Sequence, residues 1–130
     1  MIHLDTSVLV DALTGTRRSA PALRAAIADG RRLVLSALVL YEWQRGPRLQ
    51  AELDAQEALA PSDAAVPFDA IAAAHAAKLY AAVKRPRGRE IDLAIAACAL
   101  AHGASLWTLN RDDFSDVPGL DLYDPDAGGA

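Results

Sequence analysis

The chain has 130 residues, 52% hydrophobic and 23% charged, with a formal net charge of −4. That length and balance suit one globular domain with a proper core, and no apolar run approaches the ~18–20 residues of a membrane span. Asp5 and Asp11 stand where a secretory signal would be apolar, so a cytoplasmic location is expected.

The chain opens with IHLD, a short strand that ends on Asp5. Thr6 or Ser7 is placed to cap a following helix whose apolar face includes Val8, Leu9 and Leu13. SAPALRAAIADG predicts a second helix, with Ser19 as N-cap, Pro21 in the first turn and Gly30 as terminator. RLVLS reads as a strand. Ser36 then caps the helix ALVLYEWQRG, which stops at Gly46-Pro47. A helical stretch from about Leu49 to Leu59 ends before Pro61, and AAVPF is a weak strand. Asp69 opens an alanine-rich helix to about Val83. KRPRGRE is a loop, marked by Pro86 and Gly88. IDLAIAACALAHG is apolar nearly all round and is expected to be buried on most sides. SLWTLN is a strand, RDDF a turn or short helix and LDLYD a last short strand. Residues 1–125 read as one domain and 126–130 as a short flexible tail.

Strands alternating with helices predict an α/β fold: a three-layer α/β/α sandwich around a mostly parallel sheet of about five short strands. In such a sheet helix N-termini lie beside strand C-termini, where sites form. Asp5 ends the first strand. Glu42 lies in the second turn of the helix after the second strand, and Asp92 in the first turn of the apolar helix. Asn110, Asp112 and Asp113 directly follow SLWTL. All fall on the same edge of the sheet.

Each residue also has a plain structural reading. Asp5 would serve as an N-cap, but Thr6 and Ser7 already offer that. Glu42 would be a surface residue, yet Leu38, Val39, Tyr41 and Trp43 surround it. Asp92 would complement a helix dipole, and Asn110 with Asp113 would build an Asx turn. Cys98 is the single cysteine, which excludes an internal disulfide and leaves a buried structural thiol. His3, His75 and His102 share no ligand spacing and read as structural. Trp43, Trp107 and Tyr80 read as core or subunit contacts.

Carboxylates that converge without a matching Lys or Arg repel one another. A hard divalent cation resolves this. Mg2+ takes oxygen ligands, usually one or two carboxylates, and keeps waters for a phosphate substrate. The chemistry then available is phosphodiester hydrolysis, with a metal-bound water as nucleophile and a carboxylate as proton acceptor. The net negative charge argues against a dedicated nucleic-acid binder. However, Lys84, Arg85, Arg87 and Arg89 crowd into KRPRGRE, whereas Asp112, Asp113, Asp116, Asp121, Asp124 and Asp126 load the C-terminal stretch. These clusters read either as solvated surface or as a basic rim around an acidic site, which suits a polyanion. An aspartyl-nucleophile phosphatase would want a second Asp where Ser7 stands, and a phosphotransfer receiver a Lys late in the chain, where none follows Lys84.

The ordered set LDTSVLVDAL, SALVLYEWQRG, IDLAIAACALAHGASLWTLNRDDF and LDLYDP resembles the PIN-domain ribonucleases, and within them the VapC-type toxins of bacterial toxin–antitoxin pairs. The resemblance covers nearly the whole chain. It implies an acidic pocket of Asp5, Glu42 and Asp92 that binds Mg2+ or Mn2+, with the Thr6 hydroxyl supporting the first Asp. It further implies an endoribonuclease that leaves 5′-phosphate and 3′-hydroxyl ends, forms a homodimer and is held inactive by a VapB-like antitoxin. The family's fourth acidic position falls on Asn110, so Asp113 is a second candidate for that role. Arg85, Arg87 and Arg89 are candidates for holding the RNA backbone. The competing expectation is a catalytically weak PIN-like module that binds RNA or protein.

Overall fold

A computed structural model describes residues 1–127. The elements run β1 (Ile2–Leu4), α1 (Thr6–Leu13), α2 (Ala20–Ala28), β2 (Leu33–Val34), α3 (Ala37–Arg45), α4 (Gln50–Leu59), α5 (Ala70–Ala82), α6 (Glu90–Ala101) and β3 (Ser105–Trp107). Single 3-10 turns cover Ser62–Ala64 and Arg111–Asp113. The sheet is parallel, with the order β2-β1-β3. Its register pairs Ile2 with Leu33 and with Ser105, and Leu4 with Trp107. Helices flank it, as the alternating pattern predicts. Of the tail expected over 126–130, residues 128–130 lie outside the described residues.

The sheet has three strands among the described residues rather than about five. AAVPF and LDLYD each shrink to one parallel bridge, Ser36 to Val66 and Leu106 to Leu122. Val66 donates to Leu35 and accepts from Ala37. The partner segment turns into α3 at Ala37, directly after Ser36, so no further rung can form there. Leu122 is similarly brief: Leu106 N–H donates to Asp121 O, and Tyr123 N–H donates to Leu106 O. Both segments still flank the outer strands, one residue deep.

The first helix caps also differ from expectation. Asp5, not Thr6 or Ser7, occupies the N-cap of α1, and its carboxylate makes no capping bond. Ser19 stands at the N-cap of α2 in an αR conformation, and its hydroxyl goes to Asp11 Oδ2 instead. Ser36 and Asp69 behave as expected, accepting from Val39 N and Ala72 N.

The core is one cluster shared by β1 and β3 with α1, α2, α3, α5 and α6. Residues Leu93 to Ala99 of α6 are all buried, and α5 packs along this helix. Five alanines and one cysteine in EIDLAIAACALA keep its surface low, so neighbours approach closely on every side. Gly103, at φ +60, ends the helix and turns the chain into β3. Trp43, Trp107 and Phe114 are the largest fully buried side chains. Tyr80 is not core; 41% of it is exposed. His3 and His102 meet, Nε2 to Nδ1 at 3.3 Å, a contact with no trace in their sequence spacing. Burial, then the His102 ring, pushes the His3 imidazole down to about 4, so this central-strand residue is neutral at pH 7.

Ser36 is buried and holds the first turn of α3, the helix that carries Glu42. Replacing it with alanine is expected to cost about 1 kcal/mol. In urea unfolding the midpoint falls while the slope stays constant.

Candidate active site

Asp5 leaves β1 with extended backbone and enters α1 at once. Its side chain is buried, 5% exposed. Two hydroxyls meet the cost of burying that charge: Ser7 Oγ donates to Asp5 Oδ2 at 2.9 Å, and Thr108 Oγ1 donates to the same oxygen at 2.7 Å. Both act on Oδ2, which leaves Oδ1 for a ligand. Ser7 and Thr108 are themselves fixed. Leu109 N–H donates to Ser7 Oγ at 3.0 Å, and Asn110 N–H donates to Thr108 Oγ1 at 3.0 Å.

Thr6 does not support Asp5. Its hydroxyl donates to Glu42 Oε1 at 2.7 Å and so ties α1 to α3. Arg45 Nη2 stands 3.7 Å from the other Glu42 oxygen. The cause is helical geometry: Thr6 and Ser7 sit one after the other in the first turn, about 100° apart around the axis, so they face different acids.

Asp5, Thr6, Glu42, Asp92 and Asn110 line one open groove of about 410 Å3. Asp113 lies instead in the adjoining hollow formed by residues 109–113, although its charge still acts on Asp92. Asp92 shows how acidic the groove is. Burial first, then the charges of Asp5, Asp113 and Glu42, push its carboxyl up from 3.8 to about 6; only Arg89 opposes them. The groove therefore favours the neutral acid, or a cation. Asp11 is a further carboxylate at the rim that sequence reasoning did not single out. Ser19 donates to it, and Arg18 Nε lies 3.9 Å away, so it is turned to protein partners.

Among the described residues no group of three or more Asp, Glu, His or Cys side chains is placed to hold a metal ion by itself. A magnesium-type ion does not require one, because it keeps several waters and takes one or two carboxylates. The free oxygen of Asp5, the electrostatically strained Asp92 and an open groove fit that coordination style.

The sequence matches the PIN domain family over residues 2–120. This chain belongs to the PIN domain family. No curated protein sequence matches it closely enough to count as a relative. Solved structures do resemble this PIN domain. One is from the VapBC2 complex of Rickettsia felis bound to a promoter DNA fragment, with 26% identity over 95% of this chain and 98% of that one, and a TM-score of 0.78. Another, from VapBC-1 of nontypeable Haemophilus influenzae, is 23% identical over 97% and 99% of the two chains, with a TM-score of 0.73. A third, from VapBC-5 of Mycobacterium tuberculosis, is 27% identical over 93% and 94%, with a TM-score of 0.61.

Arg89 of this PIN domain is not free to hold a substrate. Its guanidinium forks onto Asp116, Nη1 to Oδ2 at 3.0 Å and Nη2 to Oδ1 at 2.6 Å, and Nη2 also donates to Asp113 O at 2.8 Å. The Arg89 side chain is 20% exposed. The pair holds the Asp116 carboxyl below the usual carboxylate range. Because Arg89 is the N-cap residue of α6, the fork fastens the turn that carries Asp92 to the segment that carries Asn110. Arg85 and Arg87 remain exposed. Sequence reasoning missed Ser7, Thr108 and Arg89 as supports. A signal for Thr108 existed: once Leu4 pairs with Trp107, the next residues along, Asp5 and Thr108, are side by side.

Two outcomes are expected. Folded Asp92 keeps its proton to about pH 6, against an ordinary value of 3.8. The native chain thus binds more protons between these values, and stability falls as pH rises from 3.8 to about 6. In EDTA, Asp92→Asn should flatten that fall and melt above wild type at pH 7; a lower melting point there would overturn the assignment. Separately, Asp116→Asn should speed amide hydrogen exchange over residues 110–116, with exchange in α6 unchanged.

Proposed function

We propose that this PIN domain is a divalent-metal-dependent endoribonuclease and the toxin of a VapBC-type toxin–antitoxin pair. The observation that carries the reading is the meeting of Asp5, Glu42 and Asp92, from three separate elements, around one open groove. Nuclease activity goes with the family. Mg2+ or Mn2+ as the cofactor and RNA as the substrate are our assignment.

When bound, the metal supplies Lewis-acid polarisation of a phosphate oxygen and an acidified water. Asp5 offers one oriented oxygen, since hydroxyls from Ser7 and Thr108 occupy the other. Asp92 supplies the second carboxylate. Glu42 has protein partners on both oxygens, which suits it to reach the metal through water and to accept the proton of the attacking water. Asn110 orients at the groove mouth through its amide, and Asp113 contributes charge from beside it. Arg85 and Arg87, exposed on the loop before α6, hold the RNA backbone. The solved structures this chain resembles come from VapBC complexes, which supports a VapB-like antitoxin as partner. A homodimer and a cytoplasmic location complete the reading; among the described residues no helix is long and apolar enough to cross a membrane.

A non-catalytic binding module is the second reading, favoured by Asn110 at the groove in place of an acid. One purified preparation separates the two. The nuclease reading expects Mn2+ binding in calorimetry, RNA cleavage in Mg2+ that EDTA stops, and 5′-phosphate ends. Asp92→Asn should lower the cleavage rate on the order of 100-fold or more. Wild-type cleavage by that variant would overturn the site, and absence of Mn2+ binding would favour the module.

A further inference from the structure

The loop before α6 forms a second concave surface. Tyr80, Lys84, Arg85, Pro86 and Arg87 line an open pocket of about 510 Å3. Tyr80 is 41% exposed and does not join the core cluster. Among the described residues no carboxylate stands within ion-pair distance of Lys84, Arg85 or Arg87. Three unneutralised cations thus surround one accessible aromatic face.

The loop that carries them is held in shape. Arg89 N–H donates to Pro86 O at 3.0 Å. Gly88 takes φ +81 and donates to Glu90 Oε1 at 3.2 Å. Arg89 Nη1 donates to Arg85 O at 3.4 Å, while the same guanidinium bonds Asp113 O. One side chain therefore touches both the rim of this pocket and the segment bordering the carboxylate groove. The two concavities are neighbours.

We propose that this pocket is a binding subsite for a single-stranded stretch of RNA, with one base stacked on Tyr80 and the adjoining phosphates held by Lys84, Arg85 and Arg87. An aromatic face has no use for phosphate alone, and cations alone do not select bases. Their combination fits a nucleotide whose base is out of a helix. Duplex RNA hides its base faces and offers only phosphates and 2′-hydroxyls, so it engages the cations and leaves Tyr80 idle. The inference rests on the ribonuclease reading and deepens it, because it assigns where the uncut strand is gripped and in which form.

The test uses the full chain in EDTA, so that no cleavage occurs, and follows binding of a short fluorescent oligouridylate by anisotropy. The single strand should bind more tightly than a duplex of equal length. Tyr80→Ala should weaken single-strand binding roughly tenfold, with duplex binding and melting temperature unchanged, and Tyr80→Phe should restore it. Arg87→Ala should reduce the salt slope of single-strand binding by about 0.7, the value for one lost phosphate contact. Unchanged single-strand affinity in Tyr80→Ala overturns the proposal. So does a Tyr80→Ala chain that loses dimer mass in light scattering while its oligonucleotide affinity holds, since Tyr80 is then a contact between copies. A wild-type chain that binds no oligonucleotide overturns it as well. Because binding is read without metal, Tyr80-dependent binding by a chain that never cleaves RNA upholds the subsite and overturns the nuclease reading alone.

Discussion

The buried carboxylate of Asp5 is the constraint around which this PIN domain is arranged. A charge at the end of a central strand is tolerated only with strong donors, and here they come from both sides. Ser7 reaches back from the first turn of α1, and Thr108 reaches across from the end of β3. These bonds require β1 and β3 to be parallel neighbours in one register, since an antiparallel or slipped pairing would carry Thr108 away. They also require α1 to begin immediately after β1, which places Thr6 against Glu42. Satisfying one oxygen of one residue thus sets the relation of the sheet to two helices.

The remaining acids are not satisfied in this way. Asp92 enters the groove from the most buried helix of the fold and meets Asp5, Glu42 and Asp113 with only Arg89 in opposition. Their repulsion disfavours the folded state at neutral pH, and small domains have little stability in reserve. The fold tolerates it because the cost is local, while Leu93 to Ala99 of the same helix stay packed on all sides. Arg89 acts on the geometry of this arrangement as well as its charge, fastening the start of α6 to the segment after β3.

Much of this was legible in the sequence, and the reasons are local. Ser36 before ALVL, Asp69 before the alanine-rich helix and Gly103 after AIAACALA are short-range signals, and each works in the structure as read. Alternation of strand and helix gave the parallel sheet, which in turn brought Asp5, Glu42 and Asp92 to one edge. What failed depended on distant partners. Thr6 and Ser7 looked like interchangeable caps, yet neither caps: Thr6 donates to Glu42 on α3, and Ser7 donates back to Asp5 while accepting from Leu109 N–H. Arg89 looked like one more basic residue of its loop until Asp116, 27 residues on, engaged it. The outer strands failed differently: AAVPF and LDLYD carry the right residues, but a strand needs consecutive rungs, and each makes a single bridge, the first because its partner enters α3 at Ala37.

The connection between Asp5 and Thr108 spans 103 residues, and it also fixes when the groove comes into being. β1 leaves the ribosome well before its partner β3 is made, so this pairing closes late. Until then Asp5 lacks the Thr108 donor, and Asp92 lacks Asp113 beside it. A nascent chain halted at residue 107 carries Asp5, Glu42 and Asp92 but lacks the Thr108 donor that fixes the first of them. The acidic centre is thus complete only once the segment after β3 has been made.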